Sequence, residues 1–232
     1  MITFESVGVR AEGPPGAADV TILTGVNLAL TEHRVAVIGP NGSGKSTLAR
    51  LVNGLVLPTS GRVLVDGLDP ARDGAAVRRR VGFVFTDPDA QLVMPTPRED
   101  VALSLRRTAL DAAGRADRVV EVLGRFGLAT LADVSVHSLS GGQKQLLALA
   151  GVLATEPAIL VCDEPTTLLD LRWRGVVDEL LASLDQQVLL VTHDLDAAAR
   201  ADRVLVVDGG AIVTDGVPAV AIDAYRARMA VR

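Results

Sequence analysis

The feature that most limits what this chain can fold into is the run Gly39-Pro40-Asn41-Gly42-Ser43-Gly44-Lys45-Ser46. A continuous apolar stretch, Arg34 to Ile38, precedes it as a strand, and Ser46 to Asn53 follows as a helix stopped near Gly54. Strand, glycine-rich turn and helix in that order form the phosphate-loop pattern. The glycines let backbone N–H groups converge on β- and γ-phosphate oxygens with no Cβ in the way, and the helix N-terminus adds its positive dipole end. Lys45 is placed to neutralise phosphate charge, the Ser46 hydroxyl to ligate Mg²⁺, and Thr47 to reach the α-phosphate.

Around this loop, apolar runs of strand length alternate with helical periodicity, which predicts an α/β fold with a largely parallel sheet. Further buried strands are expected at Ile159–Cys162, Val188–Val191 and Val204–Val207, with helices over Leu169–Leu184 and Asp194–Ala201 between them. Gly61 to Gly67 alternates between glycines as an antiparallel strand does, and Val81–Phe85 reads as another short strand. From Pro97 to Ala154 strand signals give way to helical periodicity. The expected organisation is one domain over residues 1–232, with a helical subdomain inserted at about 87–155 and a last amphipathic helix within Pro218–Arg232.

Composition narrows the function. Aromatic residues are 3% of the chain, the net charge is −5 and the pI is near 5.2, all unfavourable to a nucleic-acid surface, so no nucleic-acid partner is expected. Lys45 and Lys144 are the only lysines. The single cysteine, Cys162, rules out an internal disulfide, and Met1 to Glu5 does not read as a secretory signal. The mean hydropathy of +0.34 directs attention to Gln145–Cys162. Thr155-Glu156-Pro157 breaks that stretch, so helix, stop and buried strand is the expected reading rather than a membrane span.

A second group of motifs selects among phosphate-loop proteins. Leu139-Ser140-Gly141-Gly142-Gln143 opens a helix whose Ser140 and glycine N–H groups form another anion-binding end. Ile159-Leu160-Val161-Cys162-Asp163-Glu164 is a buried strand ending in two carboxylates, with Asp163 placed to hold Mg²⁺ and Glu164 to polarise an attacking water. Asp170 follows in a short turn, and Thr192-His193-Asp194 follows the next strand. Each alone has a bland reading as a helix cap, a solvated acidic pair or a strand-end histidine. Their shared order and spacing does not.

In combination these motifs resemble the ATP-binding-cassette ATPases over essentially the whole chain. The resemblance implies a phosphate-loop NTPase fold with a mixed sheet core, an antiparallel β subdomain and an inserted helical subdomain. It also implies two subunits meeting head to tail, most simply a homodimer. Ser140, Gly141, Gly142 and Gln143 of one subunit would then close on ATP held by Gly39 to Thr47 of the other. His193 would contact the γ-phosphate, and Asp170 would belong to the nucleotide site. Very long coiled coils and paired cassettes, which mark relatives in chromosome maintenance and translation, are absent from this sequence. A transporter ATPase lacking its own membrane domain is therefore expected, with a soluble non-transport ATPase as the alternative class.

The segment Asp87-Pro88-Asp89-Ala90-Gln91-Leu92 resembles that of energy-coupling-factor importers. These pair their cassettes, at the cytoplasmic face of the membrane, with a transmembrane coupling protein and a small substrate-binding membrane subunit. Val93-Met94-Pro95-Thr96 and Glu164 to Asp170 are most similar to biotin importers, with cobalt or nickel importers as the alternative. Val93, Met94, Val101, Leu103 and Leu105 are candidates to dock the membrane partner. Two positions depart from the family pattern. Thr86 stands where a glutamine is usual, and Gln91, five residues on, is no replacement. Ala11 stands where an aromatic residue usually stacks on adenine, leaving Arg10 or the loop Glu12–Ala18 to cover the base.

Overall fold

A computed structural model describes residues 1–13 and 18–230, which divide into two compact units. The first comprises Met1–Val81, Ile159–Asp163 and Asp185–Arg232, described to residue 230; the second comprises Gly82–Ala158 and Glu164–Leu184.

In chain order the elements begin with strands β1 (Ile2–Ala11), β2 (Val20–Leu30) and β3 (Arg34–Ile38), then helix α1 (Lys45–Val52), β4 (Ser60–Val65), α2 (Gly74–Arg80) and β5 (Val81–Val84). Helices α3 (Pro97–Ser104), α4 (Ala112–Arg125) and α5 (Gly141–Leu153) follow, then β6 (Ile159–Asp163) and α6 (Leu171–Ala182). The chain ends with β7 (Gln187–Val191), α7 (Leu195–Ala198), β8 (Arg203–Asp208), β9 (Ala211–Gly216) and α8 (Pro218–Ala230).

Two sheets build the first unit. One is antiparallel, in the order β2-β1-β4. In the other, β6, β7, β3 and β8 lie side by side and parallel, and β9 adds antiparallel to β8. The parallel strands carry near-continuous apolar runs because both of their faces are covered. β3 is central, pairing Ala36 with Leu190 of β7 and with Val204 of β8. On one face Ala36, Ile38, Val204 and Val206 bury against Ala198 and against Ala221 and Ile222 of α8, with Tyr225 half-covered. The fold is thus the mixed α/β arrangement expected, with its antiparallel sheet.

Two helices are shorter than their sequence patterns. The segment 194–201 forms a single turn, Leu195–Ala198, whose start Asp194 caps by accepting from the N–H groups of Asp196 and Ala197. The chain must then enter β8 beside β3, where Asp202 and Arg34 exchange hydrogen bonds. The helix read over 169–184 begins at Leu171, because Asp170 is its N-cap. β2 and β9 escaped the sequence reading, although β2 alternates buried and exposed residues over Val26–Leu30. Residues 231–232 of the last helical segment lie outside the described residues.

Within the second unit, α3, α4 and α5 pack together around fully buried Val101, Leu105, Leu123, Leu147 and Leu149. Gln145–Cys162 resolves into the end of α5, a break and β6, as the Glu156-Pro157 step predicts. Among the described residues no helix is long and apolar enough to cross a membrane. Cys162 is buried on β6, and burial, with Asp163 adjacent, pushes its thiol far above the ordinary range, so it is unreactive.

Candidate functional site

The ends of β3, β6 and β7 bring three of the singled-out segments to the carboxyl edge of one parallel sheet, where open α/β sheets bind their ligands. From β3 the chain turns through Gly39 with φ +148° and reaches α1 through Gly44 with φ +104°. A Cβ at Gly39 would overlap the Val207 carbonyl, and one at Gly44 would press on the Ile22 carbonyl and the Leu23 side chain. Both positions need glycine for conformation and for space.

Lys45 is only 6% exposed, and its Nζ donates to the carbonyl oxygens of Gly39 (2.8 Å) and Pro40 (3.0 Å), holding the loop as a ring around its charge. The Ser43 hydroxyl is buried and has no hydrogen-bond partner among the described residues. A buried, unpaired polar atom inside a glycine-rich loop is costly unless a ligand satisfies it, and a phosphate oxygen would do so. Thr47 is half-buried one turn further along.

Asp163, at the tip of β6, is 1% exposed. Its Oδ1 accepts from the Ser46 hydroxyl at 2.7 Å, and its Oδ2 accepts from Arg50 Nη2 at 3.1 Å. Arg50 was missed by the sequence reading; its i+4 spacing from Ser46, which puts both on one helix face, was the available signal. Ser46 and Asp163 fit a Mg²⁺ ion by their chemistry: both are the hard oxygen donors Mg²⁺ prefers, and their hydrogen bond holds them side by side. No group of three or more His, Cys, Asp or Glu that could hold a metal occurs among the described residues. His193 is exposed directly after β7, while neighbouring Thr192 is buried and accepts from the Asp194 N–H at 3.0 Å.

The remaining candidates lie in the second unit. Ser140 is the N-cap of α5 in a full capping box: its Oγ accepts from the Gln143 N–H, and Gln143 Oε1 accepts from the Ser140 N–H at 2.8 Å. These bonds use acceptors, so the Ser140 hydroxyl and Gln143 amide keep their own donors. Gly141 is exposed, whereas Gly142 is buried beneath the ring of Trp173. Lys144, the second lysine, pairs with Asp89 at 2.7 Å and so serves the unit's own structure.

Glu164 has φ +54°, a left-handed conformation rare for a non-glycine residue, and its carboxylate accepts from Thr167 Oγ1 at 2.9 Å. Asp170 is exposed and accepts from the Trp173 N–H at 3.0 Å as the cap of α6. Thr167 and Trp173 were not singled out from sequence. Thr86 follows β5 and is half-buried. Gln91 is committed elsewhere: Oε1 accepts from the Phe85 N–H and Nε2 donates to the Ala148 carbonyl.

The docking candidates split. Val101 and Leu105 are fully buried core residues and are not available to a partner, a correction to their sequence reading. Val93 is 67% exposed and Met94 half-exposed, beside a surface groove of about 520 Å³ that His137 also lines. The buried Asp100 carboxylate accepts from the N–H groups of Val93 and Met94, both at 3.0 Å, and fixes that loop. Ala11 is the exposed last residue of β1, paired with Val20; residues 14–17 of the loop beyond it lie outside the described residues.

The glycine geometry makes a graded prediction. Gly39→Ala should cost about 2–4 kcal/mol in denaturant unfolding, combining left-handed strain with a blocked Cβ. Gly42→Ala, with φ +75° but open space around the added atom, should cost only about 1 kcal/mol.

A family profile described as ABC transporter matches residues 23–167. The biotin transport ATP-binding protein BioM of Rhizobium etli is 46% identical over 225 residues, covering 97% of each chain. The energy-coupling factor transporter ATP-binding protein EcfA1 of Halalkalibacterium halodurans is 44% identical, covering 94% of this chain and 80% of its own. Among solved structures, an ATP-binding cassette in a dimeric post-hydrolysis state bound to ADP and Pi matches with a TM-score of 0.83 and 31% identity, covering 94% of this chain and 99% of that one. With the phosphate loop, the strand-end carboxylates and the capped glycine turn in place, the chain belongs to the ABC transporter family and is similar to its energy-coupling-factor and biotin-transport members.

Proposed function

We propose that residues 1–232 act as one cassette, with 87–155 as its helical signature region, and form the ATP-hydrolysing subunit of an energy-coupling-factor importer for biotin. The observation that carries the ATPase reading is the meeting of Ser46 and Asp163 beside a buried lysine and an unpaired Ser43 hydroxyl. This set offers oxygen ligands for Mg²⁺ and donors for phosphate.

In this reading Gly39 to Ser46 hold the phosphate chain through backbone N–H groups, Lys45 offsets its charge, and Thr47 meets the α-phosphate. Ser46 and Asp163 hold Mg²⁺, which when bound neutralises charge on the phosphate oxygens. Glu164 accepts a hydrogen bond from water, aligns its lone pair on the γ-phosphorus and takes the proton as the bond to the bridging oxygen breaks. His193 contacts the γ-phosphate. Ser140, Gly141, Gly142 and Gln143 come from a second copy arranged head to tail, with Asp170 near the same boundary. The developing charge is surrounded only when both helix ends face it.

The cassette works at the cytoplasmic face of the membrane. It drives a transmembrane coupling protein and a small substrate-binding subunit, with the Val93–Met94 loop as the docking element. Biotin rests on similarity to BioM. The test is to purify the chain with its membrane partners, reconstitute them in vesicles and follow ATP-dependent uptake. Uptake of labelled biotin supports the assignment; uptake of Co²⁺ or Ni²⁺ instead would replace it. Absence of membrane partners would favour a soluble ATPase.

Base recognition should be loose. With an exposed alanine, Ala11, where the family usually stacks an aromatic residue, affinity resides mainly in the phosphates, so GTP should compete with ATP to within about tenfold. A competition binding measurement checks this, and a far stronger preference for ATP would show that Arg10 or the following loop reads the base.

A further inference from the structure

The segment after Glu164 is held by several hydrogen bonds within itself. Besides the Thr167 contact to Glu164, the Leu169 N–H donates to the Thr166 carbonyl at 3.1 Å and Arg174 Nε donates to the Leu169 carbonyl at 2.9 Å. The Asp170 cap closes onto the Trp173 N–H. The first turn of α5 is equally fixed by its capping box.

Trp173 lies where these two fixed turns meet. Its ring is laid so closely on Gly142 that an added Cβ would fall on ring atoms Cδ2, Cγ and Cε2. It is the chain's only tryptophan, and it is not fully buried. A tryptophan serving only the core would be enclosed by aliphatic side chains. This one uses a rigid, flat face against the backbone of a glycine turn, with few rotamers to lose.

We propose that Trp173 is a positioning residue: its indole sets the Ser140–Gln143 turn relative to the Glu164–Asp170 segment. This inference rests on the roles given above to Ser140–Gln143 and Glu164. In the head-to-tail arrangement these two segments of one chain serve different nucleotides, so a rigid spacer between them ties the geometry of one site to that of the other. Each must present donors or a base within tenths of an ångström, so the spacer governs rate more than affinity.

The first test needs no nucleotide. Trp173 is the sole source of tryptophan fluorescence, so Gly142→Ala should shift the emission to longer wavelength and increase acrylamide quenching as the ring is displaced. Unchanged emission would overturn the proposed contact. The second test separates positioning from folding. Trp173→Ala should lower kcat about tenfold while ATP affinity, measured by direct binding, stays within about twofold. Trp173→Phe, which restores a flat ring, should recover most of that loss. If the alanine variant does not fold, Trp173→Leu serves in its place, filling volume without a planar face.

A wild-type kcat in the alanine or leucine variant would overturn the proposal, as would a loss that phenylalanine does not recover. Failure of the wild-type protein itself to hydrolyse ATP would overturn the ATPase reading and this inference with it. That failure is recognised before any variant is made.

Discussion

Glu164→Gln should leave ATP bound while slowing hydrolysis about 10³-fold, the range typical for removal of a positioned general base. The replacement is nearly isosteric, so the contact from Thr167 Oγ1 at 2.9 Å can persist through the amide oxygen, and the φ of +54° at this position is no harder for glutamine than for glutamate. What is lost is the ability to take a proton. Binding should be insensitive because the groups assigned to the phosphates, Lys45, Ser43 and Ser46, are untouched. If hydrolysis separates the head-to-tail pair proposed above, the variant should also accumulate as an ATP-dependent dimer. Equilibrium binding, a phosphate-release assay and size-exclusion chromatography with ATP check the three parts. Rapid hydrolysis by the variant would remove Glu164 from the role of base.

The parts of the molecule legible in the sequence are those where local chemistry leaves few options. Gly39 and Gly44 could be read because their left-handed backbone and lack of room admit little else, and the pattern announces both. β3, β6, β7 and β8 could be read because a strand covered on both faces must be apolar throughout. What escaped depends on three-dimensional meetings. Arg50 reaches Asp163 across 113 positions, although its spacing from Ser46 was visible. Trp173 meets Gly142, and neither residue's own surroundings in sequence point to the other. Val101 and Leu105 share the apolar character of Val93, and only burial separates core from surface among them. Asp170 shows how two roles hide in one residue: the structure gives it a capping bond, while its place in the motif order suggests the nucleotide site.

The second large effect is expected at Lys45. Lys45→Ala should weaken ATP binding about 10²- to 10³-fold, the loss of one or two charge-assisted hydrogen bonds at about 1.5–3 kcal/mol each. Stability should change far less. Removing the ammonium deprives the Gly39 and Pro40 carbonyls of a donor, but it also removes a charge from a site that is 6% exposed, and these effects oppose each other. A net change of about 1 kcal/mol would move the melting temperature by about 2–4 °C in a chain of this size. Isothermal titration with ATP and thermal denaturation without it separate the two quantities. Lys45→Arg sharpens the comparison: it keeps the charge, but its wide planar fork cannot occupy the compact position between two loop carbonyls, so affinity should remain poor. If arginine restored binding, charge alone would suffice and the ring closed by Gly39, Pro40 and Lys45 would not matter. If alanine unfolded the protein while sparing affinity in the folded fraction, Lys45 would be a strut of the loop rather than its phosphate ligand.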